Sequence, residues 1–245
     1  MKTNDYDSPR VRVIENFVDL ETCKFIINYG NKTNLWSSGN PNPEKFANRQ
    51  DYEVFANQWN DRSITVESLF GNNAHKEFLD VLIKIKDEIV KQVNDFFKIE
   101  NTVSIEGWDV VRWYYPFFQM PHVDYVSLDF DREKDLPEGY DENHLSPETE
   151  KLYKTYNNQK HFASMLYLSD DFEGGELYFP LQNDFEIKPK TGMLALFSGD
   201  FNHIHGVRQI ISGTRYVQST FWSREITPLQ KNLNILNANN DNENN

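Results

Sequence analysis

The sequence has few features that would tie it to an oxidising compartment, a membrane or a nucleic acid. Cys23 is the only cysteine, so neither an intrachain disulfide nor a multi-cysteine zinc site can form. The polar N-terminus lacks the apolar core of a secretory signal, and no stretch matches a membrane span. Lys and Arg number 25 against 38 Asp and Glu, and the resulting net charge of −13 argues against a protein that coats phosphates. We therefore expect a cytoplasmic protein without nucleic-acid or membrane partners.

Residues 1–106 predict a support region made of helices and irregular segments. The pattern at 11–17 indicates a strand, which leads into a helix that Asp19 caps and Gly30 ends. A second helix is predicted over 75–97, where apolar residues recur at steps of three and four. Such an amphipathic helix is typical of one that packs on a sheet.

From residue 107 the sequence period changes to that of short strands. Segments rich in aromatic and β-branched residues alternate with turns that contain glycine or proline. The predicted strands are 107–115, 162–168, 175–180, 193–198, 203–210 and 215–222. Strands at this spacing predict a sandwich or jelly roll over 107–225. The expected fold class is therefore mainly β with supporting N-terminal helices.

Two segments fall outside this strand pattern. Residues 129–160 are charged and interrupt the strands, so this insertion is either a solvated surface segment or a lid over a site. Residues 226–245 are rich in asparagine, a composition that predicts a disordered tail. We treat the support region and the strand-rich core as parts of one domain.

The motif with the clearest chemistry is His122-Val-Asp124. Side chains two residues apart on a strand point to the same face, so an imidazole and a carboxylate lie side by side. Alone, such a pair is common on protein surfaces. His205 supplies a second imidazole, and His203 competes with it because both would share a strand face. Two histidines and a carboxylate form the facial triad of non-haem Fe(II) oxygenases, although zinc accepts the same donors.

A cation downstream helps to choose between the two histidines. Arg215 is the tenth residue after His205, and the Ser212-Gly213 turn between them reverses the chain. The guanidinium then returns beside the histidine strand. Because a guanidinium binds a carboxylate through two directional hydrogen bonds, it suits a buried dicarboxylate. The spacing favours His205 over His203, whereas Arg215 together with the motifs around it favours iron over zinc.

Longer matches surround these residues. They are 121–124, 165–180, 188–192 with Phe197, and 205–216. With these segments in this order, the chain resembles the iron- and 2-oxoglutarate-dependent dioxygenases, most of all their prolyl 4-hydroxylase branch. The resemblance implies a double-stranded β-helix, the cupin-like form of the jelly roll.

The resemblance also implies roles for individual residues. His122, Asp124 and His205 would bind Fe(II). Arg215 takes the position that binds the far carboxylate of 2-oxoglutarate. Tyr167 takes the position of a tyrosine whose hydroxyl helps to hold that carboxylate, with a half-buried structural tyrosine as the alternative. The presence of Asp124 favours hydroxylation, since related halogenases lack this carboxylate.

Two positions leave alternatives open. The family usually has a tyrosine ahead of its His-x-Asp motif, where this chain has Trp113, and Tyr114 or Tyr115 are alternative replacements. Trp222 lies near the end of the last predicted strand. It lines either a substrate entrance or the core.

The resemblance implies an enzyme that hydroxylates prolyl residues in a peptide or protein. It would use Fe(II), 2-oxoglutarate and O2 and release succinate and CO2; a need for ascorbate and the oligomeric state are left open. The alternative is the same chemistry on a free amino acid, another small molecule or a nucleobase, the last of which the acidic charge disfavours. A non-catalytic cupin-like binding module is a distant alternative, because the triad and the arginine are intact.

Overall fold

The computed structural model describes residues 1–7, 9–36, 61–140 and 159–243. In these ranges the helices are α1 (Leu20–Thr33), α2 (Lys76–Phe97), α3 (Arg132–Asp135) and α4 (Pro228–Glu243). The strands are β1 (Lys2–Asp7), β2 (Arg10–Glu15), β3 (Ser63–Thr65), β4 (Ser104–Tyr114), β5 (Gln119–His122), β6 (Phe162–Tyr167), β7 (Glu173–Gly174), β8 (Leu177–Phe179), β9 (Phe185–Ile187), β10 (Leu194–Ser198), β11 (His205–Val207), β12 (Ile210–Ser212) and β13 (Thr214–Ser223). Short 3-10 turns lie at Val66–Leu69, Asn73–His75 and Phe201–His203.

The strands form two main antiparallel sheets. The larger sheet has the order β1-β2-β10-β6-β13-β4-β3, the smaller has the order β5-β11-β8-β9, and β12 pairs with β7. Neighbouring strands are often far apart in sequence, as in the pairing of β2 with β10 and of β4 with β13. This arrangement confirms the mainly β, jelly-roll class that the strand pattern predicts.

The inner faces of the two sheets share one apolar cluster, and we call the region between these faces the cleft. Its wall on the larger sheet includes Val111, Phe197 and Val217, and its wall on the smaller sheet includes Leu177 and Phe179. All five side chains are buried. The cleft therefore has a rigid, largely dry lining on both sides.

The opposite face of the larger sheet carries a second apolar cluster, which we call the helix-side core. It joins α1 and α2 to the sheet through residues such as Ile26, Leu82 and Ile89. Trp222 belongs to this core, where it is fully buried and its indole nitrogen donates a hydrogen bond to Oγ of Ser164 at 2.9 Å. Of the two alternatives for Trp222, the structure has the core position.

The two N-terminal helices match their predictions unequally. The helix predicted over 75–97 is α2, and Asp19 caps α1 as predicted, accepting a hydrogen bond from the Thr22 amide at 2.9 Å. The prediction that Gly30 ends α1 is wrong, because the helix continues to Thr33 and ends at Asn34, which has a φ of 54°. Gly30 instead gives room, since a Cβ there would lie 2.9 Å from a methyl group of Ile64.

The prediction of a disordered tail over 226–245 is wrong for the part that forms α4. Thr227 caps this helix, because its hydroxyl accepts a hydrogen bond from the Gln230 amide at 3.1 Å. Leu229 and Leu233, four residues apart, are buried in the helix-side core. Two leucines on one helical face outweigh the polar composition around them.

The insertion predicted at 129–160 is described only at its two ends. In its first part, Phe130 stacks on Phe201 with ring centroids 4.4 Å apart and packs near Val126 and Ile204. The interpretation as a lid concerns residues 141–158, which lie outside the described residues. No helix in the described part of the chain is both long and apolar enough to cross a membrane.

Candidate active site

The two sequence-selected histidines meet across a pair of strands in the smaller sheet. His205 on β11 lies directly opposite His122 on β5, and their ring centroids are 4.5 Å apart. Asp124 follows two residues after His122. One donor atom from each of the three residues lies within 4.8 Å of the other two. The structure thus brings together the three residues that the sequence selected as a metal triad.

The carboxylate of Asp124 lies between the two imidazoles. Its Oδ1 is 3.8 Å from Nε2 of His122, and its Oδ2 is 3.5 Å from Nε2 of His205. The Asp124 amide donates a hydrogen bond to the Gly199 carbonyl at 2.9 Å, which fixes the backbone at this point. Asp124 and His205 are buried, whereas His122 is half-buried. The site is therefore enclosed on the His205 side and accessible on the His122 side.

Backbone carbonyls set the orientation of both imidazoles. Nδ1 of His122 lies 2.8 Å from the Met120 carbonyl, and Nδ1 of His205 lies 2.9 Å from the His203 carbonyl. A carbonyl only accepts, so the proton is assigned to Nδ1 in each ring. The lone pair then lies on Nε2, the atom nearest Asp124 in both cases. Histidine ligands of metals usually donate their other ring N–H to a carbonyl or carboxylate in this way.

His203 has a different environment from the one predicted. It ends a 3-10 turn rather than sharing a strand with His205, and its Nδ1 is 2.8 Å from Oδ1 of Asp200. Its carbonyl orients His205, but its ring is not among the three residues whose donor atoms converge. His203 is therefore a supporting residue.

Burial keeps His205 in the form that binds metals. Removal of the ring from water lowers the pKa of His205 to about 4, and the neighbouring His122 adds to this shift while Asp124 opposes it. The ring is neutral at physiological pH. Two imidazoles and a carboxylate are the donor set of the facial triad, so these residues fit Fe(II).

A buried cation lies deeper in the cleft. Arg215 is 3% exposed and Tyr167 is fully buried, and the guanidinium carbon lies 5.2 Å from the tyrosine ring centroid. Nε of Arg215 and the hydroxyl of Tyr167 find no hydrogen-bond partner among the described residues. Because a buried guanidinium without an anion is costly, this pocket fits the carboxylate of a dicarboxylic acid.

The pKa shifts of Arg215 and Tyr167 also indicate that this pocket suits an anion. Burial lowers the pKa of Arg215, while Tyr167 and Glu176 oppose the shift. Burial raises the pKa of Tyr167, and the charge of Arg215 opposes that shift. Gly175 provides the space, since a Cβ at this position would lie 3.0 Å from Cδ of Arg215. An anion that binds here would stabilise the charged guanidinium.

Among the aromatic residues at 113–115, Trp113 faces the cleft. It is buried, lies opposite Arg215 in the β4–β13 ladder, and stacks on Phe117 with ring centroids 3.7 Å apart. Tyr114 is 40% exposed and Tyr115 is 64% exposed. A tryptophan therefore occupies the wall beside the guanidinium.

Comparison with known proteins agrees with this geometry. Residues 111–224 match the sequence profile of the 2OG-Fe(II) oxygenase superfamily. The similarity to that superfamily therefore extends over the strand-rich core. The resemblance drawn from the motifs is confirmed, while the ligand roles of His122, Asp124 and His205 stay predictions that the geometry supports.

Proteins similar to this chain include prolyl hydroxylases. Prolyl 3-hydroxylase 2 of Rattus norvegicus is 27% identical over 165 residues, which cover 63% of this chain and 21% of that protein. Prolyl 4-hydroxylase 1 of Arabidopsis thaliana is 33% identical over 86 residues, which cover 27% of this chain and 30% of that protein. The chain thus spans about a fifth of the length of the first relative.

A solved structure shares the fold of this chain. The viral collagen prolyl hydroxylase from Paramecium Bursaria Chlorella virus-1, in complex with 2OG, superimposes with a TM-score of 0.55 at 17% sequence identity. The match covers 87% of this chain and 94% of the viral protein. The predicted double-stranded β-helix is thereby confirmed.

The motifs did not select some residues that face the cleft. Asp109 on β4 and Phe221 on β13 lie on the same face of the larger sheet as Arg215, because they differ from cleft-facing positions by even steps. Lys160, just before β6, places its ammonium 4.1 Å from the ring centroid of Phe221. For Phe221 the available signal was the period-two pattern, counted from Arg215 on the same strand, whereas no local pattern marks Asp109.

Proposed function

We propose that this protein is an Fe(II)- and 2-oxoglutarate-dependent dioxygenase that hydroxylates prolyl residues in a peptide or protein and releases succinate and CO2. The observation that supports it most is the convergence of His122, Asp124 and His205 in the same fold as the buried guanidinium of Arg215. The relatives named prolyl 3-hydroxylase and prolyl 4-hydroxylase support the prolyl substrate.

The triad and the arginine would hold different reagents, Fe(II) and 2-oxoglutarate. Asp124, His122 and His205 would hold Fe(II), and Arg215 with Tyr167 would hold the far carboxylate of 2-oxoglutarate. When bound, this pair supplies the oxidising chemistry that places one oxygen atom of O2 in the substrate and the other in succinate. Asp124 would contribute the carboxylate donor, and the two histidines would contribute imidazole nitrogen donors.

The surrounding side chains keep the reaction away from water. Phe197 packs edge-on against the His205 ring with centroids 4.6 Å apart, and Phe179 lies 6.1 Å from the same ring. Val217 adds a buried aliphatic wall towards Arg215. A dry wall of this kind strengthens the charge interactions of Arg215 and protects reactive species from side reactions.

The surface next to His122 suits a peptide substrate. Tyr115, Phe118 and Met120 are 64%, 52% and 56% exposed and lie in the segment that leads from β4 to His122. Met120 lies beside the site, since its carbonyl is 2.8 Å from Nδ1 of His122, and an exposed apolar side chain next to a candidate site often marks a binding surface. The ring of a proline and its apolar neighbours would find contacts here.

We also propose a reducing location such as the cytoplasm, because the fold uses no disulfide. Cys23 is a free, buried cysteine, and burial raises the pKa of its thiol to about 11, which makes it a poor nucleophile. Ascorbate enters the proposal solely as a reductant for the iron. Omission of ascorbate from the assay tests that role directly.

The test of the function begins without a substrate. Fe(II) and 2-oxoglutarate are added to the purified protein in the absence of oxygen, and we expect the visible charge-transfer band of their chelate. Air and a panel of proline-containing peptides are then added, and mass spectrometry should detect the gain of one oxygen atom on proline. Product chromatography assigns the hydroxyl to C3 or C4.

Three outcomes would contradict the proposal in different ways. The absence of the band from folded protein would remove the iron and co-substrate assignment. A band followed by oxygen gain on free amino acids or other small molecules, but on no peptide, would favour the small-molecule alternative. A band without turnover of any tested compound would favour a binding module with the same fold.

A further inference from the structure

The wall of the cleft carries a carboxylate that the proposed chemistry does not use. Asp109 lies directly opposite Ser219 in the β4–β13 ladder. Ser219 follows Arg215 by four residues on β13, and residues at even steps on a strand share a face. Asp109 and Ser219 therefore face the cleft on the same side as Arg215, about 13 Å further along the sheet at ~3.3 Å per residue.

The cleft opens towards solvent in this direction. Arg215 and Val217 are buried, whereas Ser219 and Phe221, the next cleft-facing residues on β13, are half-buried. Asp109 is half-buried as well. The buried end of the cleft thus contains Arg215, and the end with Asp109 is partly exposed to solvent.

The same end of the cleft adjoins the metal triad. A Cβ built on Gly199 would lie 2.9 Å from Cβ of Asp124 and would also collide with the carbonyl oxygen of Lys160. The Lys160 ammonium in turn lies over the ring of Phe221. Gly199 therefore lies against both Asp124 and the Lys160 backbone, and the Lys160 side chain extends from there to Phe221, on the side of the cleft that contains Asp109.

Hydroxyl groups fix the Asp109 carboxylate in one orientation. Its Oδ1 accepts hydrogen bonds from Oγ1 of Thr65 at 2.8 Å and from Oγ of Ser63 at 3.1 Å. Its Oδ2 receives no hydrogen bond from a described residue, and Asp109 forms no ion pair with one. The carboxylate is thus held firmly on one side, and its other oxygen is available.

The charge of this carboxylate is incompletely balanced. Burial raises the pKa of Asp109, while the hydroxyls of Thr65 and Ser63 and the charge of Lys160 oppose the shift. Lys160 does not pair with it directly, because its ammonium lies against Phe221. A half-buried carboxylate in this position would be stabilised by a cationic partner that brings its own hydrogen-bond donors.

We propose that Asp109 recognises a lysine or arginine side chain next to the residue that is hydroxylated, so that the substrate is a basic proline-containing peptide. This inference rests on the proposed function and specifies its substrate. The net charge of −13 agrees with it, because an acidic protein attracts cationic peptides and repels acidic ones. Oδ2 of Asp109 accepts the donors of the basic side chain, and Oδ1 stays on Thr65 and Ser63.

Binding measured without turnover tests this inference. The protein is loaded with Mn(II) and 2-oxoglutarate in the absence of oxygen. Fluorescence anisotropy then gives its affinity for three peptides that differ in the residues flanking proline, which are Lys, Gln or Glu. We expect the order Lys, Gln, Glu, with the lysine peptide bound about tenfold more tightly than the glutamine peptide.

Two substitutions test whether the preference for the lysine peptide comes from Asp109. Asp109→Asn keeps the shape of the side chain and should remove the advantage of the lysine peptide while changing the affinity for the glutamine peptide less than about twofold. Lys160→Gln should improve binding of the lysine peptide, because it removes the nearest competing cation. Asp80→Asn on the surface of α2 is the matched control and should change none of the three affinities.

Equal affinities of the unaltered protein for the three peptides would overturn the inference. An Asp109→Asn variant whose affinity falls equally for all three peptides would also overturn it. If Asp109→Asn does not fold, the Lys160→Gln variant tests the inference instead. A Lys160→Gln variant with the same preference for the lysine peptide as the unaltered protein would contradict the charge argument. Addition of air separates this inference from the proposed function. Hydroxyproline formed without charge preference defeats the inference alone, and a charge preference without hydroxyproline defeats the proposed function alone.

Discussion

The two faces of the larger sheet have different roles, although the same strands form both. On β13 the cleft-facing residues are Arg215, Val217, Ser219 and Phe221, and the residues facing the helices are Tyr216, Gln218, Thr220 and Trp222. The helix-facing side is closed over by α1, α2 and α4. The cleft side passes from a buried cation to half-buried residues at its open end. One strand therefore contributes to the packed core with one face and to the candidate site with the other, because its side chains alternate between the two faces.

Buried polar atoms without partners occur on both faces, and the comparison shows which of them indicate a site. On the helix side, the Gln218 amide, the Thr220 hydroxyl and the Trp108 indole nitrogen are buried and lack hydrogen-bond partners among the described residues. These groups are neutral, and ordered water satisfies such groups in protein interiors. Arg215 is charged, so it requires an anion rather than water. Charge, and not the missing partner alone, distinguishes the functional pocket.

The largest expected effect comes from the cleft face, at the triad. Asp124→Ala removes the anionic donor between His122 and His205, so we expect 2-oxoglutarate-dependent succinate formation to fall to background. The fold should persist, because Asp124 lies outside both large apolar clusters. Succinate is measured by mass spectrometry and folding by circular dichroism. Unchanged succinate formation would remove Asp124 from the ligand set.

Neighbouring residues on β13 should differ in what they contribute. Trp222→Ala on the helix side should lower the free energy of unfolding by about 3–5 kcal/mol, because it leaves a large cavity in a packed core. Phe221→Ala on the cleft side should cost less than about 2 kcal/mol, since that ring is half-buried. Urea unfolding measures both values. Equal losses would show that the two faces are not separated as described.

The co-substrate pocket should respond to loss of its cation. Arg215→Ala leaves the far carboxylate of 2-oxoglutarate without its charged partner, so its affinity should fall by about 2–5 kcal/mol, equivalent to a factor of roughly 30 or more. Titration of 2-oxoglutarate into the Mn(II)-loaded protein without oxygen measures this change.

Arg208 provides the matched control for that titration. It is a half-exposed arginine that pairs with Glu186 at 2.6 Å on the smaller sheet, so Arg208→Ala should leave the co-substrate affinity unchanged. Metal affinity should be similar in both variants, because neither arginine supplies a donor atom to the triad. Equal affinity of the Arg215→Ala variant and the unaltered protein for 2-oxoglutarate would contradict the assignment.

Local patterns predicted the parts of the fold that short-range chemistry controls. The amphipathic period of α2 and the alternation of β13 are visible in the sequence, and both elements form nearly where predicted. The disordered-tail prediction failed because composition outweighed a local signal: Thr227 followed by Pro228 is a typical helix start. Gly30 was misplaced because its role is a close contact with Ile64, which depends on tertiary packing.

The candidate site was predictable where a motif fixed it. His122 and Asp124 lie two residues apart, and the turn before Arg215 sets its relation to His205. Asp109 has no such motif. Its significance depends on pairing with Ser219, which is 110 positions away in sequence, and on hydroxyls from β3 that lie more than 40 positions before it. Long-range register of this kind is not encoded in any local pattern.

The smallest effect that we predict concerns Tyr167, for which two interpretations remain from the sequence. Burial raises the pKa of its hydroxyl, so the phenol keeps its proton at physiological pH and can donate it in a hydrogen bond. If that proton binds the far carboxylate, Tyr167→Phe should weaken 2-oxoglutarate binding by about 1.5 kcal/mol, roughly tenfold, without a change across neutral pH. Tyr178→Phe on the smaller sheet is the control, since that ring lies under Arg208 and outside the pocket. An unchanged affinity in the Tyr167→Phe variant would make Tyr167 a structural tyrosine, and Arg215 would then hold the carboxylate without it.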